Sequence, residues 1–349
     1  MTCGRGSILV TGGGGYIGSH VAKCLYDHGF TPVSWDNLGR GNRWAVRWGP
    51  LIESNLANIT KAAAAIKCHD IKAVVHCAAF ASVSESFASP GLYYSNNVID
   101  SLKMLRMLVS IGLEYVVFTS SCSVYGVPAC SLVEEGADLR PVSPYGETKR
   151  VIEEALRWYS SVGQLRSVSL RCFNVAGANV ASGIGETRSH ETHLIPLALE
   201  SIVSSGFIQV CGSDYATPDG TCIRDYVHVM DVAEAHVGAV EYLLAGGEST
   251  ELNIGSGRGH SVREIVEAVQ KLTGSALKSV GAPGRTGDPA RIVSNPRRAQ
   301  DVLRWVPARS DLDSIISSAW EWKKGFHAVV SPNDAKLQHT GDLSVKYRR

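Results

Sequence analysis

No apolar run in this sequence comes near the roughly 18–20 consecutive residues that a membrane span requires. Near the N-terminus only Ile8–Val10, between Ser7 and Thr11, is apolar, which is too short for the core of a secretory signal. An excess of one charge is missing too: 34 Lys and Arg stand against 33 Asp and Glu, a net charge of +1. The overall field therefore draws the chain neither to nucleic acid nor to an anionic membrane. Paired cysteine motifs are absent. The nine cysteines (Cys3, Cys24, Cys68, Cys77, Cys122, Cys130, Cys172, Cys211, Cys222) are scattered and odd in number, with no Cys-x-x-Cys; they predict reduced thiols in a cytoplasmic protein rather than a metal or dithiol centre. Internal repeats and low-complexity tracts are lacking as well. What remains is a 349-residue chain, 44% hydrophobic, able to bury a full core in one large or two closely joined domains and suited to a small-molecule partner.

Through the first half, short apolar runs alternate with stretches of helical period, the pattern of a parallel sheet covered by helices. Strands are predicted near Ile8–Thr11, Pro32–Trp35, Ala73–Cys77, Tyr115–Thr119 and Ser167–Arg171. Helices are predicted at Ile17–Asp27, Ile59–Cys68, Tyr93–Val109 and Tyr145–Ser160. The fold class is α/β, a Rossmann-type doubly wound parallel sheet with a smaller, discontinuous α/β cap. Residues 1–172 form the dinucleotide-binding layer, and a helix at Val229–Leu244 with a strand at Thr250–Ile254 returns to it, so that 227–255 belong there too. Glycine, proline and irregular connections mark 173–226 and 256–325 as the substrate cap, and 326–349, without clear period, as a loosely held tail.

Thr11-Gly12-Gly13-Gly14-Gly15-Tyr16-Ile17-Gly18 follows the first strand and opens the first helix. Gly12, Gly15 and Gly18 make a G-x-x-G-x-x-G frame that permits a tight turn, backbone approach to a pyrophosphate and close helix packing, with the helix N-terminus supplying amides to the phosphates. Glycine runs also mark ordinary turns, and position distinguishes this one: Asp36 lies eighteen residues beyond Gly18, at the end of the second strand. A carboxylate there accepts the adenine-ribose hydroxyls and repels a 2′-phosphate, which favours NAD over NADP. Arg40 and Arg43 lie close enough to serve a phosphate, although charges on loops are more often merely solvated.

Ser143-Pro144-Tyr145-Gly146-Glu147-Thr148-Lys149 places Tyr145 and Lys149 four apart at the start of a helix, hence on one face. Tyrosine ionises near pKa ~10, too high for a base at neutral pH; a neighbouring ammonium and a positively charged nicotinamide favour the phenolate. Tyr-x-x-x-Lys is common by chance, but Thr119-Ser120-Ser121-Cys122-Ser123-Val124-Tyr125-Gly126 ends a strand upstream, where such sheets bind ligand. A hydroxyl there can guide a substrate proton to Tyr145.

From about Ile8 to Trp322 the sequence resembles the extended short-chain dehydrogenase/reductase family and, within it, the UDP-galactose 4-epimerases. The resemblance implies Ser121 as catalytic serine, Tyr145 as base and Lys149 as assisting lysine, with no assigned role for Ser120 and Ser123. It implies NAD contacts at Gly12, Gly15, Tyr16, Ile17, Gly18, Asp36, Asn37, Asn55, Leu56, Asn96, Tyr145, Lys149 and Phe173. UDP-sugar contacts are implied at Ser121, Asn174, His193, Leu194, Arg224, Arg285, Asp288 and Ile292. Arg224 stands in Asp219-Gly220-Thr221-Cys222-Ile223-Arg224-Asp225-Tyr226, and Arg285 with Asp288 in Gly284-Arg285-Thr286-Gly287-Asp288. Guanidinium groups suit diphosphates through bidentate, charge-assisted contacts.

Related sugar-nucleotide dehydratases carry an Asp-Glu pair after the catalytic hydroxyl, where this chain has Cys122 and Ser123, poor substitutes for paired acids. The implied reaction is therefore inversion at C4 of UDP-galactose or UDP-glucose through a transient 4-keto sugar, with no net redox change. UDP-pentose or UDP-N-acetylhexosamine epimerisation and a non-catalytic NAD-binding role are the alternatives. Ile292, by the same resemblance, lies near the sugar's C2 substituent and should crowd an N-acetyl group. The sequence departs from the pattern at Asn55 (an aspartate in many relatives), Ala81 (a lysine), Cys172 (a tyrosine) and His193 (an asparagine), which lowers the NAD affinity expected. No second suitably spaced ligand accompanies His193 or His190, so no metal site is expected. A homodimer is implied, through the helices around Tyr93–Val109 and Tyr145–Ser160.

Overall fold

A computed structural model describes residues 5–188, 191–285 and 287–329. Its centre is a seven-stranded sheet of β1 (Ser7–Thr11), β2 (Thr31–Asp36), β3 (Leu51–Glu53), β4 (Ile71–His76), β5 (Tyr115–Ser121), β6 (Arg166–Cys172) and the strand Thr250–Ile254. All neighbours pair in parallel, in the order Thr250–Ile254, β6, β5, β4, β1, β2, β3. The chain winds outward from β1 through β2 to β3, then crosses back to β4 and proceeds the other way. That reversal between β1 and β4 opens a crevice at the carboxyl ends of the strands, where open α/β sheets take their ligands.

The sheet is Rossmann-type because its strands bury both faces. Ile8, Val10, Ala73, Val75 and Val117 pack on one side with Val21 and Leu25 of the helix Tyr16–Asp27 and with Val232–Val240 of the helix Val229–Leu244. Leu9, Val33, Val74, Val116 and Phe118 alternate onto the other, against Met104, Leu108, Ile152 and Leu156. Each expected strand is present to within two residues, and the helices Ile59–Cys68 and Val229–Leu244 lie at the expected bounds. The strand Leu51–Glu53 was not anticipated, three residues being too few to show a period. The helix expected over Tyr93–Val109 is composite: Pro90–Tyr93 is α-helical, Tyr94–Ile99 a π-turn and Asp100–Ser110 α-helical again. Such a bulge commonly re-aims side chains at functional sites, and this one carries Asn96 and Asn97.

Beyond Cys172 the short strand Asn174–Ala176 pairs with Ile223–His228, which also pairs with Gly259–Ser261 and Arg291–Ile292. The helices Leu194–Val203, Val262–Thr273 and Leu312–Val329 enclose a separate core that includes Ile195, Leu199, Ile265, Val269, Ile315 and Ile316. A small cluster of Val124, Tyr125, Val133, Phe173 and Ile292 joins the ends of β5 and β6 to this second half. The last helix continues to Val329, so its final turn occupies the start of the stretch expected as a loose tail from Phe326. Residues 330–349 and His190 lie outside the described residues.

Candidate active site

The glycine-rich turn is shaped by absent side chains. Gly12 has φ +70°, a left-handed conformation that L-residues avoid, and its amide donates to the Trp35 carbonyl at 2.8 Å. At Gly18 a Cβ would stand 2.1 Å from the Gly12 carbonyl oxygen, so the first helix can sit against the turn only with glycine there. Gly15 opens the helix with no side-chain cap, and no acidic residue lies in its first turn. The first-turn amides of Tyr16, Ile17 and Gly18, which have no intrahelical acceptor, and the positive end of the helix dipole make this a fit for a pyrophosphate. Ile17 packs on the core, and the Tyr16 hydroxyl donates to the Gly177 carbonyl at 2.6 Å, tying the turn to the loop after Asn174–Ala176.

Asp36 ends β2, buried, accepting from the amides of Gly14 (2.9 Å) and Leu38 (2.7 Å). Burial raises its pKa and these backbone donors oppose the rise; each carboxylate oxygen keeps lone-pair capacity for a diol. Beside it Asn37 donates to Asn55 at 2.6 Å, and Leu56 packs on the core under β2 and β3. Arg40 forms a bidentate pair with Glu85 (2.7 and 2.6 Å) and stacks on Phe80, while Arg43 pairs with Glu53. Both arginines are thus engaged by carboxylates on the exposed rim of the Asp36 end, consistent with NAD over NADP.

The helix Pro144–Ser161 starts at Ser143, whose hydroxyl caps the Gly146 amide at 3.1 Å, with proline in its first turn. This start puts Tyr145 at the end of β5, close enough to Ser121 for the serine hydroxyl to favour the phenolate. Ser121 also accepts from the Ser123 amide at 3.2 Å. Lys149, one turn on, is buried: its Nζ donates to the Thr119 carbonyl at 2.7 Å, lies 4.8 Å from the Phe118 ring centroid and 5.9 Å from that of Tyr145. Burial pushes the Tyr145 phenol well above its ordinary range, partly opposed by Ser121 and by the Arg188 cation. It also pulls Lys149 down to about 8, against the opposing influence of Cys77, Cys172 and Glu153. In the protein alone desolvation dominates at Tyr145, and the Lys149 ammonium is held by the Thr119 main-chain carbonyl.

Asn96 donates to Asn97 at 2.9 Å within the π-turn. Sequence reasoning passed over Asn97, which is buried, accepts from the Phe80 amide (2.8 Å) and donates to the Phe80 carbonyl (3.0 Å) and to Thr148 (3.2 Å). It clamps the loop after β4 to the helix of Tyr145. The adjacent pair Asn96-Asn97 was the available signal, and only the π-turn geometry separates their surroundings.

On the second half, Asn174 pairs in register with Tyr226, and Phe173 and Ile292 are buried together. Arg224 forms an ion pair with Asp288 and donates to the Ile223 carbonyl at 2.7 Å, its side chain only 11% exposed. These two expected ligand contacts therefore hold each other. Arg285 is exposed on the same loop, its carbonyl accepting from the Asp288 amide at 3.2 Å. Leu194 begins the helix Leu194–Val203, and His193 precedes it with Nδ1 2.8 Å from Glu186 and its amide on Glu191 at 2.8 Å. Glu186, Glu191 and His193 bring ligand atoms within 4.8 Å of one another, which corrects the statement that His193 has no suitably spaced neighbour. Their charges already meet protein partners: Glu186 accepts from Arg188 at 2.8 Å, and burial, which raises its pKa, is outweighed by His193 and Arg188. Arg188, unremarked in the sequence, reaches both Tyr16 and Tyr145 electrostatically.

A parallel sheet reversing beside a glycine cradle, with a buried tyrosine, lysine and serine at the end of its central strand, defines a nucleotide-dependent short-chain dehydrogenase type of protein. The chain belongs to the NAD dependent epimerase/dehydratase family, whose model matches residues 8–255. It is 44% identical over 318 residues to a UDP-glucose 4-epimerase of Rhizobium leguminosarum bv. trifolii, covering 90% of this chain and 97% of that one. Among solved structures it is similar to UDP-glucose 4-epimerase from Brucella ovis in complex with NAD (41% identity, 90% and 98% of the two chains, TM-score 0.87). It is also similar to UDP-glucose-4-epimerase from Stenotrophomonas maltophila with bound NAD and formylated UDP-arabinopyranose (35% identity, 93% and 100%, TM-score 0.90).

Proposed function

We propose that this protein is an NAD-dependent epimerase that inverts C4 of UDP-galactose and UDP-glucose. The observation that carries the reading is the buried Tyr145, beside Ser121 and followed one helical turn later by buried Lys149, with Cys122 and Ser123 where a dehydratase would need acids. Bound NAD⁺ supplies the acceptor and later the donor of the C4 hydride, and its positive ring favours the phenolate. Residues 1–172 with 227–255 hold it, through the amides around Gly12, Gly15 and Gly18, the Asp36 carboxylate and the polar groups of Asn37, Asn55 and Asn96. Tyr145 Oη takes the C4 hydroxyl proton directly or through Ser121 Oγ and later returns it to the C4 oxygen of the turned ketone. Lys149 contributes an ammonium whose lowered pKa keeps it near the working range.

Residues 173–226 and 256–325 hold the UDP-sugar. Asn174, Arg224 and Arg285 face the diphosphate, Asp288 the uridine ribose, and His193 and Leu194 the sugar side. A tight grip on UDP with a loosely held hexose lets the flat ketone turn and present its other face, which inversion requires. The Arg224–Asp288 pair supports this division, because a diphosphate and a ribose diol together offer the partners that the two side chains give each other. In the same reading the protein works as a cytoplasmic homodimer. The eight cysteines among the described residues are all free, and Leu92, Ile99 and Trp158 expose apolar surface on the helices expected to form the dimer.

The deciding experiment is incubation of the purified protein with UDP-galactose and no added cofactor. UDP-glucose should accumulate to equilibrium; absence of conversion, with and without supplied NAD, would refute the reading.

A further inference from the structure

Behind the catalytic residues lies an ion pair that the mechanism does not use. Glu153 and Arg171 are 0% and 2% exposed, joined by Nη2–Oε2 at 2.7 Å and by Nε to both carboxylate oxygens at 3.1 and 3.2 Å. Two periodicities place them. Tyr145, Lys149 and Glu153 recur every four residues, so they line one face of the helix Pro144–Ser161. On β5 side chains alternate: Thr119 points its hydroxyl to His236 (2.8 Å) on the helix Val229–Leu244, while Ser120 points the other way and donates to Glu153 at 2.5 Å. Arg171 lies opposite Ser120 in the β5–β6 register. Three helical turns thus meet three consecutive strand residues: Tyr145 lies beside Ser121, Lys149 donates to the Thr119 carbonyl, and Glu153 accepts from Ser120. Ser120, which the sequence left without a role, is the strand's partner for the third turn.

The pair is closed on its far side. Arg171 donates to the Tyr125 hydroxyl and to the Glu135 carbonyl, both at 2.9 Å; Tyr125 donates to Asn253 at 2.6 Å, and the Asn253 amide donates to Glu135 at 2.7 Å. Removing two charges from water costs several kcal/mol per ion, and an apolar pair of equal volume is often as stable. Apolar packing of Ile152 and Leu156 on the sheet would hold the helix, but it tolerates small slides and rotations that directional bonds do not. We propose that the Glu153–Arg171 pair, anchored through Ser120, fixes the register of the helix Pro144–Ser161 on β5 and so holds Tyr145 and Lys149 opposite Ser121. Glu153, Arg171 and Ser120 are positioning residues, and their role rests on the epimerase reading above.

Ser120→Ala removes one anchor and leaves the ion pair; Glu153→Gln keeps the shape but sets an amide against the Arg171 donors. Misplacement of reacting groups by about 1 Å can cost on the order of 100-fold, so kcat for UDP-galactose should fall by about 3–10-fold in Ser120→Ala and by about 30–100-fold in Glu153→Gln. KM and bound NAD should stay within about two-fold of wild type. The groups facing Lys149 are Glu153 and Tyr145 from its own helix, His76 from β4, Cys77 just beyond it and Cys172 from β6. Of these Glu153 favours the ammonium, so its neutralisation in Glu153→Gln should move the alkaline limb of the kcat profile to lower pH, by about one unit or less. A lower melting temperature with kcat per NAD-loaded site and the alkaline limb unchanged would show a merely structural pair and overturn the proposal. If Glu153→Gln fails to fold, Ser120→Ala decides: unchanged kcat, or a crystal structure with Tyr145 unmoved beside Ser121 and Lys149 still donating to the Thr119 carbonyl, overturns it. An inactive wild type would instead sink the epimerase reading, and that crystal structure would still test the register.

Discussion

At the glycine-rich turn the site is made by the main chain, and at Arg224 and Asp288 by side chains that hold each other. Gly12 and Gly18 leave no alternative packing, since the turn and the helix start touch where a Cβ would be. Arg224, Arg285 and Asp288 lie on a strand and a loop whose backbones would tolerate other residues, and on the proposed function the ion pair exchanges partners with an arriving diphosphate. The cofactor end is therefore preorganised, a condition suited to a group kept through every cycle, whereas the nucleotide end is rearranged with each substrate. Substitutions at the two ends should fail in different ways.

The largest effect falls between them. Tyr145→Phe removes the hydroxyl proposed as the base for the C4 proton beside Ser121, and kcat should fall by about a thousand-fold or more. UDP-galactose binding, measured by titration calorimetry, should stay near wild type, because neither the cradle nor the Arg224 region changes. Near-normal turnover would remove Tyr145 from the mechanism. Gly18→Ala comes next. Its Cβ would stand 2.1 Å from the Gly12 carbonyl, and the shift needed should cost about 1–3 kcal/mol of stability and at least about ten-fold in NAD retained on purification, since binding and packing share the same turn. UDP affinity should survive.

Arg224→Ala should show the opposite profile. Losing a charge-assisted contact costs about 1.5–3 kcal/mol, hence a KM for UDP-galactose raised by about 10–100-fold, with NAD content unchanged. If NAD were lost and KM preserved, the two ends would have been assigned the wrong way round.

The same contrast explains what was legible in the sequence. Main-chain demands leave strong marks: a glycine frame between a strand and a helix, a carboxylate at the end of the next strand, and Tyr145 and Lys149 one turn apart all read correctly as placements, and the strands of the large sheet lie within two residues of their expected bounds. Side-chain partnerships leave none. Nothing in the pattern separates Asn97, which clamps the Phe80 loop, from Asn96 beside it, because the π-turn that distinguishes them has no sequence period. Arg40 and Arg43 looked available until Glu85 and Glu53 were found against them, and His193 looked isolated until the loop returned Glu186 to it. The balance of burial against charge at Tyr145 was equally hidden, since desolvation depends on the Tyr93 ring 6.5 Å away and on the strand ends around it, all distant in sequence.

The smallest expected effect tests the sugar end. Ile292 is 4% exposed, packed with Val124, Tyr125 and Phe173 and paired in register with Arg224. On the proposed function this apolar wall, in register with Arg224, borders the sugar's C2 substituent. Ile292→Cys removes carbon from that wall while staying apolar, and a change of one or two methylene equivalents in a pocket is worth about 1–3 kcal/mol. The ratio of kcat/KM for UDP-N-acetylglucosamine to that for UDP-glucose should rise by about ten-fold or more, with turnover of UDP-glucose itself reduced by less than about five-fold. An unchanged ratio would mean that the selectivity lies elsewhere, and wild-type turnover of the N-acetylated sugar equal to that of UDP-glucose would show that Ile292 does not crowd C2 at all.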